Sequence, residues 1–255
     1  MILKKSMMQK GFTLVEIAIV LVIFGLLLSA LLLPLRAQRE QAAQAQTIST
    51  LNNAKQALIG FAQANGRLPC PATEVSNGIA SPNASGPCTA QLGFLPAASL
   101  GIQPTDAQGF AVDAWDIRIM YAITQSNQGG ALTPDYTTNN DINDVGIVAL
   151  SQNTENLRVC NSDVGVTATR CSGGTEANFL INNAVAVIYS TGATGTSVPG
   201  SPSEATNPSV ATSPKIVFVS REISLLDAPN EFDHIVTWIS PYVLYNAMIQ
   251  AGQLH

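Results

Sequence analysis

From Phe12 to Leu35 the chain is apolar almost throughout, Glu16 being the one strongly polar side chain, and this run follows a basic stretch, Met1–Gly11, with Lys4, Lys5, Lys10 and no acid. At about 1.5 Å per residue the run makes a helix of roughly 36 Å, enough to cross a hydrocarbon core of about 30 Å. A lone carboxylate at that depth costs about 2.5–3.5 kcal/mol on insertion scales, so Glu16 needs a compensating partner. The three lysines hold the amino terminus on the cytoplasmic side and send the remainder outward. Arg36 and Arg39 weaken that asymmetry, and Glu40 partly restores it. After Leu33 come Pro34, Leu35 and Arg36, where a secretory signal would carry small residues for cleavage. Cleavage ahead of the run would leave the span attached to the mature chain.

The segment Lys10-Gly11-Phe12-Thr13-Leu14-Val15-Glu16 resembles the class III leader of type IV pilins and type II secretion pseudopilins. The resemblance covers about the first thirty residues. It implies that a membrane-embedded prepilin peptidase cuts after Gly11 and that Phe12 is then N-methylated. Glu16, fifth in the mature chain, takes the place of the family's assembly residue. Physical chemistry agrees. A cut there sets a cationic amine on Phe12 one helical turn from Glu16, and that amine or a neighbouring subunit's offsets the carboxylate where the dielectric is low. The helix macrodipole adds about 0.3–1 kcal/mol. A plain signal anchor with an incidental acid is the bland alternative.

The implied partners are the prepilin peptidase/methylase, other pilin or pseudopilin subunits, an inner-membrane assembly platform and the membrane itself. The implied location is the inner membrane, single-pass, with the head in the periplasm and at the cell surface after assembly. Residues 1–11 are then a cleaved leader, 12–35 a transmembrane and filament-core helix, 36–65 its amphipathic continuation, and 66–255 a globular head. The expected fold class is α+β, a long N-terminal helix packed against an antiparallel sheet.

Loss of the leader leaves nine basic residues against seventeen acids, a formal charge of −8, which argues against a nucleic-acid partner. Cys70, Cys88, Cys160 and Cys171 all lie beyond the span, in the compartment where disulfides persist. Four cysteines allow three pairings, and proximity favours Cys70–Cys88 and Cys160–Cys171. Zinc is disfavoured by the lack of C-x-x-C and by the presence of only two histidines, His234 and His255.

Gln38–Gln63 is rich in Ala and Gln, with Ile48, Leu51, Leu58, Ile59 and Ala62 at helical spacing and Lys55 at the edge of the stripe. Asn65-Gly66 is a stop, so one rod from Phe12 to about Ala64 is expected. Cys70 and Cys88 would pin a loop to Gln91, and the stretch from Gly93 through Pro96 to Gly101 is expected to be mostly irregular. Asp113–Tyr121 alternates like a strand, with Trp115 read as a core anchor. It resembles the Asp-Pro-Trp-Gly segment of pseudopilin heads, with Ala114 in place of the proline and Asp116 in place of the glycine. Further strands are expected at Val145–Leu150, Leu157–Cys160, Ala184–Ser190, Lys215–Arg221 and Ile235–Ile239. Thr191–Pro214 reads as a long hairpin excursion. Ser240 and Pro241 open a final helix ending at Gly252, its buried face formed by Tyr245, Met248 and Ile249.

Asp135, Asn139, Asp141, Asn143 and Asp144 form an oxygen-rich cluster, and Asp135, Asp141 and Asp144 are Ca²⁺ candidates. Asx-rich turns without metal give the same pattern, and no other cofactor is expected. Catalysis has little support: Asp233 and His234 are adjacent, and no G-x-S-x-G elbow occurs. A filament subunit of minor-pilin type is therefore expected. The rivals are a type II secretion pseudopilin, a membrane-tethered periplasmic binding or adhesion module, and an anchored hydrolase dependent on His234.

Overall fold

In the computed structural model, which describes residues 12–124, 136–145, 156–171, 178–195, 200–210, 215–224 and 229–254, the chain opens with helix α1 (Leu14–Asn65), 52 residues long. Two compact units result, Met1–Ala43 and Gln44–His255. In the first, every side chain described from Phe12 to Leu28 is exposed. Among the described residues no helix is long and apolar enough to cross a membrane. The apolar run of the sequence extends to Leu35, beyond Leu28, the last side chain described in that part of α1.

In the second unit α1 buries Thr47, Thr50, Leu51, Ala54, Leu58, Ile59 and Ala62, a stripe at i, i+3 and i+4 intervals. Lys55 is half-buried at its margin. Ile48, expected on the buried face, is 46% exposed. Thr47 takes the inward position instead, and its hydroxyl accepts the Ala114 N–H at 3.2 Å. The helix ends at Gly66, whose φ of 66° supplies the left-handed turn and whose N–H returns to the Ala62 carbonyl at 2.8 Å.

Strands β1 (Leu92–Phe94), β2 (Met120–Ile123), β5 (Ala186–Ser190) and β7 (Ile235–Ile239) form a four-stranded antiparallel sheet in the order β1-β2-β5-β7. Strands β4 (Phe179–Ala184), β3 (Leu157–Cys160) and β6 (Val217–Val219) form a second sheet, in which β3 and β4 run antiparallel and β3 and β6 parallel. Tyr121, Ile123, Ala186 and Ile188 join the core against α1, whereas Met120, Ala122, Val187 and Tyr189 join a second core with Leu157, Val159 and Phe218 of the other sheet. The head is thus layered helix, sheet, sheet. Both faces of β2 and β5 are covered, so these strands read as continuous apolar runs rather than alternating ones. Short helices α2 (Ala97–Leu100), α3 (Asp141–Val145) and α4 (Pro202–Ala205) lie between strands, and α5 (Pro241–Gln250) closes the chain.

Several expectations are corrected. Leu92–Phe94 is an edge strand, not irregular chain. Asp113–Ile119 is turn-like, and the strand starts only at Met120. Trp115 is half-buried and lies outside both cores. Ser190 and Lys215 do not bound a hairpin, because β5 and β6 belong to different sheets. Val145 ends α3, and 146–150 lie outside the described residues. In α5, Leu244, Tyr245 and Met248 are buried, but Ile249 is 50% exposed.

Candidate functional site

Helix α1 starts with a reciprocal cap. The Thr13 hydroxyl accepts the Glu16 N–H at 3.2 Å, and the Thr13 N–H points back to the Glu16 carboxylate at 3.5 Å. This is the Thr-x-x-Glu capping box, which satisfies backbone donors that a first turn leaves over. Glu16 therefore has a local task in the single chain, capping the helix start, which sequence reasoning missed although the Thr-x-x-Glu pattern carries the signal for it. Phe12 precedes the cap and is 80% exposed; Gly11 lies outside the described residues. Val15, Ala18, Ile19, Val22 and Ile23 line a shallow apolar groove along one side of the helix. An apolar surface this extensive marks a place where something else packs.

In the head, Cys70 is joined to Cys88 and Cys160 to Cys171. Of the calcium candidates, Asp135 lies outside the described residues, while Asp141 and Asp144 both sit on α3. Neither belongs to a group of three metal-ligating side chains among the described residues. That grouping occurs elsewhere, at Glu204, Asp233 and His234.

Ser201 caps α4 by accepting the Glu204 N–H at 3.2 Å, which presents the Glu204 carboxylate to the residues just before β7. There Glu204 accepts the Asp233 N–H at 3.3 Å and, through its other oxygen, the Gly200 N–H at 2.8 Å. Asp233 accepts both the N–H and the hydroxyl of Thr194, at 2.9 and 3.0 Å. All three members of the group are buried. Burial pushes the His234 ring down to about 4, so it is a neutral imidazole at pH 7. Sequence reasoning met Asp233 and His234 as neighbours but had no means of adding Glu204, which is 29 residues away.

Another buried acid organises the turn before β2. Asp113 accepts the Trp115 and Ile117 N–H groups, each at 2.9 Å, and the Ser190 hydroxyl from β5. Desolvation, the largest influence, holds its carboxyl above the usual carboxylate range despite these donors. Asp116, in place of the glycine of the pseudopilin pattern, has a φ of 62°. Asp is among the few non-glycine residues that tolerate this region.

Residues 6–32 match the family described as "Prokaryotic N-terminal methylation motif". The match spans the end of the basic leader, the Gly11–Phe12 junction, Glu16 and most of the apolar run. No curated protein and no solved structure matches the chain significantly.

Proposed function

We propose that this chain, whose amino terminus carries the methylation motif found in type IV pilin-like and pseudopilin precursors, is the precursor of a filament subunit of minor-pilin type. The match at residues 6–32 is the observation that carries the reading. Prepilin peptidase removes residues 1–11 and methylates the new amino terminus at Phe12. Residues 12–35 then anchor the subunit in the inner membrane, 36–65 lead into the head, and 66–255 stay in the periplasm until assembly. In the filament the apolar helices pack together, and Glu16 sets their axial register against the amine of an adjacent subunit. Support comes from the placement of Glu16 in the first turn of α1 and from the exposure of the apolar side chains around it. The three-layered head, with its two disulfides, is larger than a simple shaft subunit requires, which favours a minor position. The reading assigns the head no catalytic role.

Intact mass and amino-terminal sequencing of the protein from its native membrane test the proposal. The expected product lacks Met1–Gly11 and begins with methylated Phe12. An uncut leader in cells with an active prepilin peptidase overturns it.

A further inference from the structure

We propose that Glu204, Asp233 and His234 form a binding site for one divalent cation of the Zn²⁺ class, joining α4 to the start of β7. The proposal is independent of the filament reading. One carboxylate oxygen from each acid and one ring nitrogen of His234 all lie within 4.8 Å of one another. Around Zn²⁺, ligand bonds of about 2.0–2.2 Å place tetrahedral ligand atoms roughly 3.4 Å apart, so the ion draws these side chains inward by about 1 Å.

Two further atoms point to a ligand. His234 is only 6% exposed, yet its Nδ1 has no hydrogen-bond partner among the described residues. Thr191, 1% exposed, has an Oγ1 in the same condition. Both residues line one small cleft of ≈ 30 Å³ beside Glu204, Thr194 and Asn207. A single water needs about 10–15 Å³ by this kind of measure, so the cleft admits an ion with one bound water. Buried polar atoms are ordinarily satisfied, and a ligand in this cleft would satisfy both.

Backbone geometry keeps the site narrow. Gly192 has a φ of 64°, and a Cβ there would lie 2.3 Å from the Asp233 carboxylate, so only glycine lets the loop pass. A Cβ on Gly200 would meet the carboxylates of both Glu231 and Glu204, at 2.1 and 3.3 Å, which places a third acid nearby. Glu204 and Asp233 are the two of these acids that are buried, and buried carboxylates this close together are stabilised by a counter-charge.

The donor set selects the ion. One imidazole nitrogen with carboxylate oxygens suits Zn²⁺ and its first-row neighbours, whereas Ca²⁺ takes six to eight oxygens. Metal-free full-length protein in detergent, titrated with Zn²⁺ in competition with a chromophoric chelator, should bind one ion with a rise in unfolding temperature. Glu204→Gln and His234→Asn should each weaken binding at least about tenfold, and His255→Asn should leave it unchanged. Because His234→Asn removes a buried group and can impair folding, Co²⁺ absorption on the unaltered protein supplies a separate readout, with visible bands of a four- or five-coordinate N/O site expected. Absence of those bands, equal Zn²⁺ affinity in a folded Glu204→Gln variant, or tighter binding of Ca²⁺ than Zn²⁺ would overturn the proposal. So would a crystal grown with Zn²⁺ in which a water alone bridges His234 Nδ1 and Thr191 Oγ1.

Discussion

Replacing Asp113 tests whether its side chain, rather than strand propensity, shapes the entry to β2. In Asp113→Ala the N–H groups of Trp115 and Ile117 and the buried hydroxyl of Ser190 lose their acceptor. The two N–H groups are partly within reach of water, so each is worth about 1 kcal/mol. The stranded hydroxyl costs about 1–2 kcal/mol more. A total loss near 3–4 kcal/mol follows, a large share of the roughly 5–15 kcal/mol that holds a domain together. Asp113→Asn keeps the oxygen facing the two N–H groups and turns an NH₂ toward Ser190. The serine oxygen already accepts the Gly192 N–H at 3.0 Å and has a second lone pair for the NH₂, but its hydroxyl hydrogen loses the acceptor it had in the carboxylate. Asparagine also removes the charge that burial disfavours, the same desolvation that raises this carboxyl's pKa. Its cost at pH 7 should therefore be about 1–2 kcal/mol, that of the hydroxyl alone, because both N–H acceptors are kept and the desolvation gain offsets the weaker neutral hydrogen bonds. Urea unfolding of the full chain in detergent, followed by tryptophan fluorescence, measures both. An alanine variant as stable as the parent, or an asparagine variant as damaged as alanine, would refute the reasoning.

Glu16→Gln keeps an acceptor for the Thr13 N–H but removes the charge, so the protein should be processed normally yet drop severalfold or more in filament incorporation, read by shearing and immunoblot; undiminished incorporation would count against a register role for the acid. Burial pushes Tyr136 up to about 12 and raises Tyr245, its hydrogen-bond partner at 2.9 Å, further still. The unfolded chain thus loses phenolic protons first, and stability that is complete below pH 10 should fall as pH rises from about 10 towards 12. A Tyr136→Phe/Tyr245→Phe double variant should show a shallower decline in that window by chemical denaturation, and parallel curves would contradict the account. Loss of the Cys70–Cys88 bridge, which spans 18 residues, through paired serine substitutions should lower unfolding free energy by about 3 kcal/mol. A change under 1 kcal/mol, again by denaturant titration, would mean that other contacts already hold that loop.

What was legible in the sequence was what local chemistry decides. Helix α1 was readable because no Gly or Pro interrupts it between Ala37 and Ile59, and its end was readable from Asn65-Gly66. The helical stripe was nevertheless misplaced at Ile48, since a hydrogen bond from Ala114 draws Thr47 inward. Alternation in Asp113–Tyr121 misled in a similar way. Ile119 and Tyr121 do share the core against α1, but Asp113 holds the preceding residues in a turn. Strand β4 escaped notice because it is an edge strand whose Phe179 and Leu180 stay exposed, so its composition lacks a buried face. The parallel pairing of β3 with β6 was hidden for another reason: register between segments so distant in sequence carries no local periodicity. The amino-terminal site needed only neighbouring residues. The Glu204 group needed the finished tertiary structure.

The cysteine arrangement bears on how the protein reaches its compartment. Each bridge joins a cysteine to the next one along, separated by 18 and 11 residues, and none is left over among the described residues. In the proposed orientation the amino terminus stays cytoplasmic and the head crosses behind the span, so these thiols emerge in the same order. An oxidase acting on each new pair as it emerges produces the native connectivity without reshuffling, so maturation of this head should depend on the supply of oxidant and remain indifferent to loss of a disulfide isomerase.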